Sequence, residues 1–424
     1  MKQLSLGKTG PYVELLQSVL KKYGYYDGNI DGIFGNMTKR AVTEFQEQAG
    51  LYPDGIVGKR TWGVLTPLIN GYFIHTVSSG DTFYDLAKRY SADLRLILSA
   101  NPQKDPENLK IGEEVIIPIQ GGIVPTDVSY SYPIMNININ SLFVRFPFLR
   151  RENVGKSVLR NDIPAIIFGE GKRKVMYNAS HHANEWITSV VLMKYLEDIC
   201  TAYVLGEDIF GIPAREIYEN TSIYFIPMVN PDGVNLVTGE LSDISGAYQY
   251  ARKITPATLP FPSSWAANIR GVDLNSNYPA KWEEARKTKF SLGYTSPGPV
   301  EYVGTSPLSE PESRAMAEYS NKNNFALTLS YHTQGEVIFY IFDDFDPPMA
   351  DEYAEVFSSV SGYILSEPSP LSAYAGYKDW FIQSFNRPGF TVECGIGQNP
   401  IPISQFDEIY RDNLGILTLA AAGE

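Results

Sequence analysis

From Tyr130 to the end of the chain, apolar strand-like runs alternate with helical stretches. That alternation predicts an α/β domain with a mixed, mainly parallel sheet and helices on both faces. Two further observations place smaller units in front of it. Asp-Gly pairs separate short helical stripes between residues 3 and about 68, which predicts a small helical domain, and residues 72–119 read in the order β-α-α-β. A length of 424 residues suits such a division, with boundaries expected at 1–70, 71–120 and 125–424.

In the first unit Leu15, Leu16, Val19 and Leu20 make one helical stripe, and Thr38, Ala41, Val42 and Phe45 make another. Asp27-Gly28 and Asp31-Gly32 mark tight turns between them, and Asp54-Gly55 precedes a last short helix with Trp62 and Leu65. The second unit opens on the strand-like Tyr72-Phe73-Ile74-His75-Thr76-Val77. Gly80-Asp81-Thr82 turns the chain and caps a helix carrying Phe83, Leu86, Ala87 and Tyr90; the next helix holds Leu94, Leu96, Ile97 and Leu98 and stops at Asn101-Pro102. Residues 109–118 close the unit as a strand, and residues 120–125 form a linker. In the large domain, strands are expected at 165–168, 174–177, 223–226 and 327–332 and within 389–395, with helices at 188–200 and 310–321.

Hydrophobic residues make up 44% of the chain, ample for a large core. A formal net charge of −13 argues against nucleic acid or an anionic membrane as partner. Two cysteines, Cys200 and Cys394, cannot build a disulfide framework. Residues 1–7 have no apolar segment behind them, and no run is long enough to span a bilayer. The expectation is therefore synthesis in the cytoplasm without a signal peptide.

Chemistry concentrates in Ser180-His181-His182-Ala183-Asn184-Glu185-Trp186, directly after the strand-like 174–177. An imidazole and a carboxylate three residues apart on a first helical turn share a face, so His182 and Glu185 can reach one ion. His-x-x-Glu alone is common in proteins. What sharpens it is His332, at the end of a separate strand-like segment, because three of the chain's four histidines fall in these two places. Two His and a Glu leave the fourth position of a zinc ion to water, the pattern of a catalytic site. Glu393 is an isolated carboxylate in an apolar strand, costly to bury unless it is paired or at work. It is the candidate general base, with a structural salt bridge as the alternative. All these residues follow or end strands, at the carboxyl edge where chemistry gathers in open α/β sheets.

On His182-Ala183-Asn184-Glu185, Val229-Asn230-Pro231-Asp232-Gly233, Gly271-Val272-Asp273-Leu274-Asn275, Ser330-Tyr331-His332 and Phe390-Thr391-Val392-Glu393, taken in that order, the chain resembles the zinc carboxypeptidase family. More narrowly it looks like the γ-D-glutamyl-L-diamino acid endopeptidases of spore-forming bacteria, which carry wall-binding modules ahead of the catalytic domain. Tyr26-Asp27-Gly28-Asn29-Ile30-Asp31-Gly32-Ile33-Phe34-Gly35, with Thr38, Ala41 and Phe45-Gln46, resembles the peptidoglycan-binding domain family. Gly80-Asp81-Thr82, Asn101-Pro102 and the closing Ile117-Pro118 resemble the LysM module, which binds N-acetylated glycans; His75 in its first strand reads as structural.

The resemblance implies one zinc ion on His182, Glu185 and His332, with Glu393 taking the proton of the attacking water and passing it to the leaving amine. Family members supply an oxyanion-binding Arg upstream of the Asp-Leu-Asn segment. Here Ala266 stands at that offset, so Arg270 is the nearest replacement and Arg252 the alternative, and both also read as surface arginines. Where the family has an Arg for the substrate's terminal carboxylate, this chain has Ser276, which argues for an endopeptidase over a C-terminal exopeptidase. Asn275 keeps the family residue and would hold a substrate carboxylate or carbonyl. The family's substrate-covering Tyr ahead of the Asp379-Trp380 pair falls by offset on Leu371; Tyr374, with Tyr377 nearby, would take the role, the alternative being that both are loop aromatics. Lys378 falls at the base of the family's pocket for the leaving residue. It would pair with the distal carboxylate of meso-diaminopimelate, the alternative being that it points to solvent.

The implied activity is a zinc metallopeptidase cutting stem peptides between γ-D-Glu and a diamino acid. Its partners would be the glycan and stem peptides of spore or cell-wall peptidoglycan, a sporulation-linked role, and it is expected to act as a monomer. An ordinary carboxypeptidase and a wall-binding protein with a dead peptidase domain are the competing readings.

Overall fold

The computed structural model describes residues 1–369 and 371–423. They form two compact bodies, one of residues 1–129, 133–149 and 197–207, the other of residues 130–132, 150–196 and 208–423.

The first body begins with helices α1 (Pro11–Lys22), α2 (Asn36–Gln48) and α3 (Lys59–Asn70). Two buried glutamines hold the intervening loops in the same way. Gln17 donates from Nε2 to Asp31 Oδ1 (2.8 Å), Thr38 Oγ1 (3.1 Å) and the Ile33 carbonyl (3.2 Å), and accepts from the Asp31 and Gly32 amides. Gln46 donates to Asp54 Oδ1, Thr61 Oγ1 and the Ile56 carbonyl, each at 3.0 Å, and accepts from the Gly55 amide. Asp31-Gly32-Ile33-Phe34-Gly35-Asn36-Met37-Thr38 and Asp54-Gly55-Ile56-Val57-Gly58-Lys59-Arg60-Thr61 are thus two copies of one loop, a duplication that helical periodicity does not expose.

Strand β1 (Tyr72–Thr76) pairs antiparallel with β2 (Glu114–Pro118), around α4 (Phe83–Tyr90) and α5 (Leu94–Ala100). The closing strand is shorter than the 109–118 expected, because the Glu113 carboxylate folds back onto the Lys110 amide and closes a turn there. Thr82 and Asp93 cap the two helices with their side chains. Asn101 ties α5 to β2, donating to the Ile97 and Ile116 carbonyls and accepting from the Ile116 amide. His75 sits between Asp81 (2.8 Å) and the Tyr90 hydroxyl (2.9 Å), a structural placement. Most of α6 (Tyr132–Arg145) belongs to this body. Its Arg145 lies 3.8 Å from buried Glu197, whose carboxylate accepts the amides of Ile123 and Val124 and so fixes the stretch after β2.

The second body contains β3 (Arg150–Lys156), β4 (Asp162–Phe168), β5 (Arg173–Ala179) and the first half of α7 (Ile187–Leu205). The two-residue strands β6 (Asp208–Ile209) and β7 (Ile212–Pro213) make a small ladder, followed by α8 (Ala214–Asn220), β8 (Thr221–Ile226), α9 (Pro231–Val237), α10 (Gly246–Ile254), α11 (Trp282–Ser291) and α12 (Pro311–Asn323). Then come β9 (Leu327–His332), β10 (Val337–Phe339), α13 (Ala350–Ser361), β11 (Ile364–Leu365), α14 (Tyr377–Phe385), β12 (Gly389–Glu393) and α15 (Phe406–Ala422). The sheet order is β11-β10-β12-β9-β5-β8-β4-β3. Its centre, β12-β9-β5-β8, is parallel throughout; β10 runs antiparallel to β12, β4 to β8, and β3 to β4. The sheet is mixed with a parallel heart, as the alternation of elements predicts.

Every residue of β8 and β9 is buried, as befits strands covered on both faces. Met176 and Tyr224 join a cluster with Met316 and Tyr319 of α12 and Trp380 and Phe381 of α14. Their neighbours Tyr177 and Phe225 point the other way, where the Tyr177 hydroxyl donates to the Leu417 carbonyl of α15 and Phe225 packs on Tyr195 of α7. No helix among the described residues is long and apolar enough to cross a membrane.

The turn into β5 is tight. A β-carbon on Gly171 would stand 1.8 Å from the Asn220 carbonyl carbon and 2.0 Å from the Thr221 amide nitrogen, both backbone atoms. Gly171→Ala is expected to force β5 away from β8 and cost about 1–3 kcal/mol, read as a lowered midpoint of thermal unfolding.

Candidate metal centre and active site

β5 ends at Ala179, and Ser180, at φ 52°, turns the chain out of the sheet. His182 then caps a one-turn 3-10 helix, Ala183–Glu185, that leads into α7. The first turn is 3-10 where an α-helical turn was expected. Residues i and i+3 eclipse in that geometry, so His182 and Glu185 stand directly over one another. Asn230, after β8, braces this turn by donating to the carbonyls of His181 (3.1 Å) and Ala267 (3.0 Å). His332 is the last residue of β9 and Glu393 the last of β12, and the two are register partners on adjacent parallel strands.

One ligand atom each from His182, Glu185 and His332 lies within 4.8 Å of the others. Glu185 Oε1 is 3.0 Å from His182 Nδ1, and Oε2 is 2.9 Å from His332 Nδ1. Zinc bonds of about 2.0–2.2 Å put tetrahedral N and O donors a little over 3 Å apart, so two imidazoles and a carboxylate at this spacing fit the ion. Beyond them, Asp273 Oδ1 faces His182 Nε2 at 3.2 Å, and Asn399 donates from Nδ2 to Glu185 Oε1 (3.2 Å) and the Thr333 carbonyl (2.9 Å). Sequence reasoning found Asp273 as part of a motif but gave it no task, and it missed Asn399. Metal-ligating histidines as a class rest on a carboxylate behind them, and that rule, applied to the acid of the 271–275 motif, could have pointed to Asp273. His181 stays out of the ligand set, buried, with Nε2 on the Tyr278 hydroxyl at 2.9 Å.

Burial alone would push His182 toward its neutral form, but Glu185 and Asp273 outweigh it and hold its pKa well above the usual value. Burial likewise works against the Glu185 charge, and His182 and His332 overcome it, bringing the carboxyl down to about 2. Glu393 differs. Burial dominates there, Glu185 adds repulsion, and the histidines only partly offset the two, so the carboxyl is pushed up to about 7.

The remaining predicted residues are spread around this centre. The Asn275 amide donates to Asp273 Oδ1, and Asn275 Oδ1 accepts from the Tyr377 amide at the start of α14, so Asn275 shares a partner with His182. Ser276 is buried in the turn that follows Asp273. Tyr374 packs in the cluster of Trp282 and Val303, with the Lys281 ammonium 5.7 Å from its ring centre. Lys378 is buried, which removes the solvent-facing reading; its ammonium is 2.5 Å from Asp379 Oδ1 and donates to the Ile341 carbonyl at 2.7 Å. Arg270 is 55% exposed and pairs with Glu310 at 3.6 Å, while Arg252 lies over Phe261. Among the described contacts, neither arginine reaches the His182, Glu185, His332 and Glu393 group.

The sequence model of the zinc carboxypeptidase family matches residues 139–415, and those of the peptidoglycan binding and LysM domains match 9–65 and 75–118. The gamma-D-glutamyl-L-diamino acid endopeptidase 1 of Lysinibacillus sphaericus is 44% identical over 291 residues, 68% of this chain and 71% of the relative. The chain belongs to the zinc carboxypeptidase family. It is a zinc metallopeptidase, with the family's fold and a donor set suited to one zinc ion. The spore cortex-lytic enzyme of Bacillus subtilis (strain 168) is 40% identical over 86 residues, 19% of this chain and 28% of that one. Among solved structures, bovine thrombin-activatable fibrinolysis inhibitor superposes with a TM-score of 0.52 at 18% identity, covering 70% of this chain and 97% of that one, a likeness of fold.

His332→Ala is expected to lose zinc outright, and Asp273→Asn, which keeps shape but loses the charge behind His182, to weaken zinc binding by about 10–100-fold. Competition with a chromophoric chelator measures both.

Proposed function

We propose that the protein cuts the bond between γ-D-glutamate and meso-diaminopimelate in peptidoglycan stem peptides, using zinc on His182, Glu185 and His332 and Glu393 as general base. The observation that carries the reading is the triad of donors with Glu393 beside it. The 44% identity to an endopeptidase of that name, together with the wall-binding families matched ahead of the catalytic domain, supports the substrate.

Zinc, when bound, acidifies water and polarises the scissile carbonyl. Glu393 is placed to do the rest. Among the described residues its carboxylate accepts no hydrogen bond, and its pKa near 7 suits a group that takes a proton from the attacking water and returns it to the leaving amine. Ser276 offers no charge for a terminal carboxylate, which favours cleavage within a longer peptide over ordinary carboxypeptidase action. Asn275, half-buried with Oδ1 already on the Tyr377 amide, has its side-chain N–H groups for a substrate carbonyl or carboxylate. Lys378 keeps one of three ammonium donors beyond Asp379 and Ile341 for the distal carboxylate of diaminopimelate. Tyr374 is assigned to cover the substrate and Arg270, with Arg252 as the alternative, to the oxyanion; each of these requires a shift on substrate binding. Together with the cortex-lytic relative, the wall-binding families favour spore or cell-wall peptidoglycan as the place of action. The enzyme is proposed to work as a monomer.

The decisive experiment is mass spectrometry of products from purified stem tri-, tetra- and pentapeptides; release of a γ-D-glutamyl fragment is expected, and stepwise loss of C-terminal residues alone would refute the reading. Glu393→Gln should keep its zinc and lose turnover by a factor of about a hundred or more, since an amide accepts no proton. As the base must be ionised, kcat/KM should fall as pH drops through an apparent pKa at or below about 7, the bound cation acting only to lower it. A Lys378→Ala enzyme should lose roughly tenfold or more in kcat/KM on the diaminopimelate peptide and far less on its L-Lys analogue. Equal losses on both would remove Lys378 from recognition.

A further inference from the structure

The duplicated loop of the first body is alike in backbone and unlike in surface. At the positions opening the following helix, the first copy carries Asn36 and Met37, and the second carries Lys59 and Arg60. Beside the first copy lies a depression of about 360 Å³ whose charges, Asp27, Glu44 and Arg40, sum to −1. Beside the second lies one of about 490 Å³ in which Lys59 and Arg60 outnumber Asp54, and Lys59 also borders an adjoining depression of about 400 Å³ beside Trp62. Asp54 is committed to the loop, its Oδ1 accepting from Gln46 and the Ile56 amide. Lys59 and Arg60 are exposed and form no ion pair among the described residues. Tyr52, 81% exposed, stands over the same depression, with Ile56 in its lining.

We infer that this second loop is a binding site for a carboxylate-bearing peptide, and that its twin is a scaffold copy without one. The inference rests on the reading of wall peptides as substrate and deepens it by dividing the wall between modules. A glutamate linked through its γ-carbonyl leaves its α-carboxyl free, so a stem peptide offers repeated carboxylates along a short aliphatic chain. A guanidinium can take one as a bidentate pair, the ammonium another, and Tyr52 and Ile56 the methylenes between. A neutral glycan has nothing for the two cations.

The test is cosedimentation of the full chain with peptidoglycan sacculi, in a Glu393→Gln background that spares the polymer. Lys59→Ala/Arg60→Ala is expected to reduce retention about fivefold or more, part surviving through the second wall-binding unit. Asn36→Glu/Met37→Glu, which alters net charge by the same amount at the twin loop, should leave retention unchanged. Insoluble chitin, an N-acetylated glycan with neither peptide nor lactyl carboxylate, should show no difference between the first double variant and its parent. Unchanged retention in that variant, equal losses in both, or the same loss on chitin would each overturn the proposal. Circular dichroism checks that the variants, altered only at exposed positions, remain folded. Retention is read without cleavage, so failure of the enzyme to cut stem peptides would sink the substrate reading and leave this result standing.

Discussion

The parallel pairing of β5, β9 and β12 is the constraint from which the centre follows. His182 and Glu185 come just after the first of these strands, His332 ends the second, and Glu393 ends the third. Segments more than two hundred residues apart in the chain meet because all three strands stop at one edge of the sheet. A slip of one residue in β9 would send His332 to the opposite face, so the register that buries the sheet also sets the donor geometry.

That edge is an electrostatic compromise. Two carboxylates stay ionised in a buried place, Glu185 through His182 and His332 and Asp273 through His182 and Lys289, whereas at Glu393 burial and the repulsion of Glu185 outweigh the same imidazoles and push it toward neutrality. A divalent cation bound there would relieve the tension at the first pair and lower the cost of charge at the third acid. Under the proposed assignment the same few residues divide labour, three to hold the ion and one to handle protons.

Much of this was legible in the sequence, because strand ends and scarce residue types carry information. Four histidines among 424 residues make a cluster of three conspicuous, and an acid in an apolar strand stands out. Other features depend on contacts with no local trace. Asn399 reaches Glu185 across 214 positions of chain, and Gln17 and Gln46 look like ordinary helix residues until their loops close on them. The Ile-Asn-Ile-Asn run in α6 alternates like a strand, yet it folds as a helix that buries Ile134, Ile139 and Leu142. The lysine before Asp379 could be placed in a pocket or in solvent from sequence; its burial against that aspartate is a tertiary fact. The arginine for the oxyanion stayed ambiguous because the partners of the two candidates, Glu310 for Arg270 and Phe261 for Arg252, lie away in sequence and leave no local trace.

Asn399 joins two things that are usually described apart. Its side chain accepts from the Thr333 hydroxyl at 2.7 Å while donating to Glu185, and it sits at the end of a loop whose Ile396, Gly397 and Gln398 are open to solvent. One amide therefore couples a rim segment to the innermost carboxylate. A push on that rim would reach Glu185 through one side chain, and the exchange of the rim's amides with solvent becomes an outward gauge of how firmly that carboxylate is seated.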